Sequence, residues 1–242
     1  VTFGLGYCVF SKTLGRITTE LTSFVLHDQP MEARLLRIAN TGDSPVTYDA
    51  TFFAQIILAD VAIDSLGQIV TEEDRGESVL FFSRPENRFQ RGWTFVASSL
   101  PCTSMETSLN RFMGAGRTVF SPWMVETGEP DLEQDDDGYR VAAISGRITV
   151  PAGREAHMHV LVGQAPEQGD CRRLMASMRR TEDVLAALRR TRAMWHDMLG
   201  AIRVETNSPA FDRLVNTWLP YQALTARLWG RLGPQQRSGA YG

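Results

Sequence analysis

Asp28-Gln29-Pro30-Met31-Glu32-Ala33-Arg34-Leu35-Leu36-Arg37-Ile38-Ala39-Asn40-Thr41-Gly42-Asp43 decides the fold class. Asp28-Gln29-Pro30 is a turn-forming cluster, an apolar-rich run occupies 31–38, and Asn40-Thr41-Gly42-Asp43 turns the chain again. Pro presets φ, Gly accepts positive φ, and Asn and Asp hydrogen-bond to nearby backbone, so such clusters punctuate strands. Residues 46–58 then resume with Tyr48, Phe52, Phe53, Ile56 and Ile57. Strand, turn, strand in this rhythm predicts an antiparallel sheet.

The same rhythm extends in both directions. The opening residues already read as a strand, and residues 16–26 mix β-branched and apolar side chains: Ile17, Thr18, Thr19, Leu21, Thr22, Phe24 and Val25. Further strands are predicted at 68–71, 78–83, 93–98, 139–150 and 155–162, with the turn Pro151-Ala152-Gly153 between the last two. That makes at least eight strands with no alternating helices, which predicts a mainly β fold, an antiparallel β-sandwich over residues 1–165. Irregular stretches are expected at 84–92 and 110–138; long loops in compact domains are functional or flexible.

The pattern changes after Ala165. Residues 171–180 and 182–199 read as helices, with Thr181 as N-cap and Glu182 and Asp183 at the positive end of the dipole. Val184, Leu185, Leu188, Trp195 and Met198 fall near one face, and Gly200 ends the run. This makes 166–205 a helical linker. Asn207-Ser208-Pro209 opens another helix, Ser208 capping and Pro209 in the first turn, which runs to about Trp229 within a third segment, 206–242. Both ends of the chain read as interior to a longer protein.

The bulk numbers exclude several classes. Of 242 residues 43% are hydrophobic, enough for a sizeable core. Lys and Arg number 25 against 28 Asp and Glu, with no long basic stretch, so no nucleic-acid surface is expected. Cys8, Cys102 and Cys171 are odd in number and lack CxxC spacing, which argues against a disulfide framework and for a reducing cytoplasm. Val1-Thr2-Phe3-Gly4-Leu5-Gly6 lacks a charged n-region and does not read as a signal peptide. The longest apolar stretch, 50–63, is interrupted by Thr51, Gln55 and Asp60 and falls short of the ~20 residues a spanning helix needs.

Few groups carry chemistry by spacing alone. Asp131, Glu133, Asp135, Asp136 and Asp137 lack the late bidentate Glu and the flanking helices of a calcium loop, and read as a solvated loop. His157 and His159 share a strand face but need a third ligand for a metal, so no metal site is expected. His27 and His196 have no local partner in the sequence, and Glu72, Glu73 and Asp74 read as charged loop residues. Gly4-Leu5-Gly6 lacks the third glycine and the helix of a dinucleotide fingerprint. No catalytic residue is assigned. The last 25 positions are richer, with Trp218, Tyr221, Arg227, Trp229, Arg231, Gln235, Gln236, Arg237 and Tyr241. Aromatic rings stack on sugar faces, and Arg and Gln donate to hydroxyls or phosphate. Trp218, Trp229 and Tyr221 read first as packing residues, while Arg231, after the helix in a Gly-containing loop, is a binding candidate.

Phe211-Asp212-Arg213-Leu214-Val215-Asn216-Thr217-Trp218-Leu219-Pro220-Tyr221-Gln222-Ala223-Leu224 resembles the first barrel helix of inverting β-glucoside phosphorylases. That family includes cellobiose and chitobiose phosphorylases and the C-terminal module of cyclic β-glucan synthases. Arg227-Leu228-Trp229-Gly230-Arg231, Gln236 and Ser238-Gly239-Ala240-Tyr241-Gly242 are similar to the run that follows. Upstream, Gly4 to Phe10, Glu20-Leu21-Thr22, Asp28 to Asn40, Asn110-Arg111-Phe112-Met113-Gly114 and Ile144-Ser145-Gly146 through Gly163-Gln164-Ala165 resemble sandwich landmarks; 60–135 is weak. Pro234, Gln235 and Arg237 depart from the pattern.

The resemblance implies an N-terminal β-sandwich, linker helices and the first helix of an α/α six-hairpin barrel. It implies that phosphate attacks the anomeric carbon with inversion while a carboxylic acid beyond residue 242 protonates the leaving oxygen. Arg231, Gln236, Arg237 and Tyr241 become the expected sugar or phosphate contacts, with inorganic phosphate as co-substrate and no cofactor. The expected partners are a β-linked oligosaccharide or glucan, the barrel of the same protein, and a second copy in a homodimer. The piece itself is expected to be inactive. The rival expectation is a carbohydrate-binding or structural module of a cyclic β-glucan synthase.

Overall fold

The computed structural model describes residues 1–59, 61–86, 92–201 and 203–228. They form two compact units: residues 1–3 with 7–188, and residues 4–6 with those from 189 onward.

The first unit is the sandwich. Its strands are β1 (Thr2–Gly4), β2 (Tyr7–Leu14), β3 (Ile17–Val25), β4 (Met31–Asn40), β5 (Val46–Gln55), β6 (Val70–Asp74), β7 (Val79–Ser83), β8 (Trp93–Ser98), β9 (Cys102–Ser108), β10 (Arg140–Val150) and β11 (Glu155–Ala165). Eight form one sheet, ordered β1-β2-β3-β4-β11-β8-β7-β6, and three form the other, ordered β5-β10-β9. The pairings among β2 to β11 are antiparallel. The mainly β fold expected from the turn-punctuated runs is therefore the fold of the chain.

Why these residues make a two-sided sheet is legible in β7. Val79-Leu80-Phe81-Phe82-Ser83 is buried throughout. A strand covered on one face alternates apolar and polar; a strand covered on both reads apolar continuously. Val79 and Phe81 enter one core together with Phe24, Met31, Leu35, Phe95 and Leu161. Leu80 and Phe82 enter the other with Ile38, Val96 and Val160, against Met105, Ile144 and Val150 of the small sheet. Each large side chain so buried contributes about 1.5–3 kcal/mol.

Helices cover the outer faces. The large sheet carries α3 (Gln168–Ser177) and the first part of α4 (Thr181–Leu199), which seal the first core with Cys171, Val184 and Ala187. The small sheet carries α1 (Leu109–Met113) and α2 (Trp123–Thr127): Phe112 and Met124 cover Val141 and Ala143, and Phe112 stacks on Phe53 at 4.4 Å. Gly163 of β11 is required by this packing, since a Cβ there would lie 2.6 Å from the Phe95 ring.

Three details differ from the sequence reading. The segment 110–138, expected to be irregular, contains α1 and α2. β9 escaped notice because Cys-Thr-Ser-Met-Glu-Thr-Ser is polar; its Ser104, Glu106 and Ser108 are buried nonetheless. Thr181 lies inside α4, and the Arg180 carbonyl accepts from the Asp183 and Val184 N–H groups.

In the second unit, Trp195 and Leu199 of α4 pack with Leu5, Tyr221 and Leu224. Ser208 caps α5 (Pro209–Arg213), accepting from the Phe211 N–H, and Pro209 stands in the first turn, as the sequence suggests. A π turn, Leu214–Trp218, leads into α6 (Leu219–Leu228). Pro220 offers no N–H, and its ring would crowd the carbonyl four residues back, so a widened turn before it is the expected relief.

Candidate functional site

Arg231, Gln236, Arg237 and Tyr241, the sequence-derived sugar or phosphate contacts, lie outside the described residues. What is described is the helix that leads to them. The Asn216 side chain donates to the Val204 carbonyl (2.7 Å) and accepts from the Val204 N–H (2.8 Å). Asp212 accepts from the Thr206 hydroxyl (2.7 Å) and from its N–H (3.0 Å). The extended link before α5 is thus tied back onto the helix. Along the same helix Phe211, Leu214 and Leu219 are 49%, 45% and 50% exposed.

Gly4-Leu5-Gly6 has a structural task that no motif in the sequence announced. The Gly6 N–H donates to the Tyr221 hydroxyl (3.2 Å) at φ +76°, and a Cβ on Gly6 would lie 2.3 Å from the Trp195 indole nitrogen. Trp195 in turn meets Tyr221 edge-on at 4.6 Å. Only glycine fits that backbone conformation and that approach.

The charged clusters singled out from the sequence are structural. Asp136 pairs with Arg140 (2.7 Å), which together with the Gly138 N–H outweighs its burial and lowers its pKa. The Asp131 carboxylate accepts from the backbone of Ala115 and Glu133, and Asp137 from that of Tyr139. Glu72 accepts from Gln168 (2.7 Å), Glu73 meets Arg75, and Asp74 meets Arg172 (3.0 Å). His157 and His159 do not act together. His157 sits 3.8 Å from Glu155, whereas His159 is 2% exposed and its Nε2 lies 3.0 Å from the Met178 carbonyl oxygen. Burial is the main cause that lowers the His159 pKa, against the Met178 hydrogen bond and the Asp183 charge.

A cleft of about 490 Å³ opens beside His159, within the sandwich unit. Its walls are the turn before β7, the end of β8 with the turn after it, β11, and α3 with the residues that follow it. Sequence reasoning missed it because its residues are spread over 76–179 and share no motif.

Two antiparallel sheets packed face to face, each covered by helices on its outer side, define a helix-flanked β-sandwich protein. The chain belongs to the glycosyl hydrolase 94 supersandwich domain family, whose model matches residues 1–181. It is 30% identical over 99% of its length to the cyclic β-(1,2)-glucan synthase NdvB of Rhizobium meliloti, of which it covers 8%. It is 23% identical over 94% of its length to an N,N'-diacetylchitobiose phosphorylase of Vibrio proteolyticus, of which it covers 29%. It is 26% identical over 53% of its length to a 3-O-β-D-glucopyranosyl-β-D-glucuronide phosphorylase of Paenibacillus borealis, of which it covers 16%. The chain therefore spans less than a third of each of these relatives. Among the described residues no helix is long and apolar enough to cross a membrane.

Proposed function

We propose that this chain is the non-catalytic sandwich, with its trailing helices, of an enzyme that cleaves or builds β-linked glucosides by inverting phosphorolysis. One observation carries the reading: the supersandwich match over residues 1–181, beside sequence similarity to proteins named as phosphorylases and a β-glucan synthase. Inorganic phosphate is the co-substrate, and no cofactor is needed. The phosphate attacks the anomeric carbon opposite the leaving group, and a carboxylic acid outside this chain protonates the departing oxygen.

In this reading the apolar stripe Phe211, Leu214, Trp218 and Leu219 is covered by the rest of an α/α barrel. Arg231, Gln236, Arg237 and Tyr241, which follow α6 in the sequence, contact the sugar or phosphate. The sandwich docks on the barrel, shapes the substrate entrance, and joins two copies in a cytoplasmic homodimer. The 30% identity to the glucan synthase over 99% of the chain favours a second reading, in which the same sandwich is one module of a larger β-glucan synthase.

The test is phosphate-dependent release of sugar 1-phosphate by the full-length protein from β-linked disaccharides and β-(1,2)-glucan. The expected product has the inverted anomeric configuration. Replacing Arg231 by Ala lowers the rate about tenfold or more, since a charged hydrogen bond is worth about 1.5–3 kcal/mol. Hydrolysis that proceeds equally without phosphate overturns the reading. An unchanged rate in Arg231→Ala removes Arg231 from the site.

A further inference from the structure

Among the described residues the two sheets end in four edge strands, β1 and β6 on the large sheet and β5 and β9 on the small one. An open edge offers unpaired N–H and C=O groups to any passing chain, so proteins shorten, charge or cover their edges. β1 has three residues, and β6 carries Glu72, Glu73 and Asp74. β9 is covered: Ser104, Met105, Glu106 and Ser108 are buried, and the Ser104 hydroxyl donates to Glu129 (3.3 Å). β5 has none of these protections. It runs for ten residues, Val46–Gln55, without Pro or Lys, and its one charge, Asp49, is paired with Arg147 (2.8 Å).

The side chains of β5 show the same lack of cover. Val46, Tyr48 and Phe52 lie opposite Val150, Ile148 and Ile144 of β10 and share their inner face. Those three β10 residues are buried, whereas no residue of β5 is. The large sheet continues past this edge. β5 stands over β4, where the Arg34 guanidinium lies 5.3 Å from the centre of the Phe52 ring, and β3 and β2 come next in the sheet. Leu21 of β3 stands opposite Leu36 of β4, which packs on the core between the sheets, and Ile17 shares its face. Opposite these two on β2 are Phe10 and Leu14, both exposed. A shelf of apolar side chains thus lies beneath the space one strand beyond β5.

We propose that a segment of the same polypeptide outside residues 1–242 adds a strand to the free edge of β5. The edge asks for main-chain donors and acceptors, which an extended segment supplies, and the shelf asks for an apolar side chain at every second position. The alternate side chains are polar and continue the outer face of Thr47, Asp49 and Thr51. A second copy of the chain does not fit there. Two-fold pairing of β5 with itself sets both large sheets on the same side, and β3 of each copy would run into β4 of the other. An edge this long and this unguarded calls for a permanent cover, and a tethered segment provides it at high effective concentration. Relatives of which this chain covers 8% and 29% have the length to supply one. The proposal rests on the reading of this chain as part of a larger enzyme, and not on the reaction that enzyme performs.

The experiment is hydrogen exchange read residue by residue across β5 and β10, in the 242-residue chain and in the full-length protein. In the chain, the β5 amides that face away from β10 exchange fast, while those bonded to β10 are slow. In the full-length protein the same outward amides slow by about 100-fold or more. Tyr48→Lys gives β5 the kind of charge that guards other edges. It leaves the pattern of the chain unchanged, because Tyr48 is exposed there, and in the full-length protein it speeds the outward amides about tenfold. Outward amides that are equally fast in both proteins overturn the proposal, and so do ones already protected in the isolated chain. Protection that falls on dilution of the full-length protein assigns the edge to a second copy and overturns it as well. Slowed amides in a full-length protein that lacks phosphorolysis would sink the proposed reaction and leave the added strand standing.

Discussion

Strand β7 and the helical run from α5 to α6 carry similar apolar side chains and treat them in opposite ways. Phe81 and Phe82 are 1% and 0% exposed, with a core on each side of the sheet, while Phe211 of α5 is half exposed. The sandwich buries its apolar surface with its own elements: two sheets and helices on both outer faces. The helical run covers only part of its surface, through Leu5, Trp195, Tyr221 and Leu224. Composition alone does not distinguish a finished core from a surface that awaits cover; the distinction lies in what each face meets.

The sharpest way to break that comparison is to truncate one phenylalanine in each region. Phe81→Ala should cost about 3–5 kcal/mol, because it removes buried surface and leaves a cavity. Phe211→Ala should cost under about 1 kcal/mol, as exposed substitutions do. Urea unfolding followed by circular dichroism measures both, and equal losses would show that the stripe is already core.

Gly6→Ala comes next and probes the part of the helical unit that is packed. It forces a side chain into positive φ and against the Trp195 indole, at a cost of about 1–3 kcal/mol. Trp195 is the reporter: its emission should shift toward the solvent-exposed range at lower urea than the main transition of the sandwich. An unchanged emission profile would remove the Gly6–Tyr221–Trp195 clasp from the account.

The smallest expected effect is a pH dependence confined to the sandwich. Burial lowers the folded His159 pKa below its ordinary value of 6.5, with Asp183 and the Met178 carbonyl opposing. Between those two pKa values the unfolded chain binds more protons than the folded one. This contribution to stability is therefore fully present above about pH 6.5 and is lost as pH falls toward the folded pKa. His159→Gln should flatten the acid limb of a stability profile over that window, and a limb of unchanged slope would count against it.

How much of this was legible follows the same division. Turn clusters such as Asn40-Thr41-Gly42-Asp43 and the unbroken apolar run of β7 announce a two-sided sheet, because turn chemistry and strand burial are local in sequence. β9 was missed because its burial depends on Ser104 and Glu106, residues whose local preference points to the surface; tertiary packing overrides it. The short helices α1 and α2 hid in a loop because five residues are too few for a helical period to show. The cleft was illegible for a different reason. Its lining is assembled from turns, strands and a helix spread over residues 76–179, and no spacing of residues encodes it. Family resemblance supplied what periodicity did not, namely the proposal that the stripe of α5 and α6 packs into a barrel.

Hydrogen exchange over residues 209–228 tests that last claim most directly. The account predicts that amides of β7, β8 and β11 are protected to the level of global unfolding in this chain. It predicts that amides from Pro209 to Leu228 exchange well before them, and gain protection in the full-length protein where barrel helices cover Phe211, Leu214 and Leu219. Equal protection of the two regions in the isolated chain, with no gain in the longer protein, would contradict it.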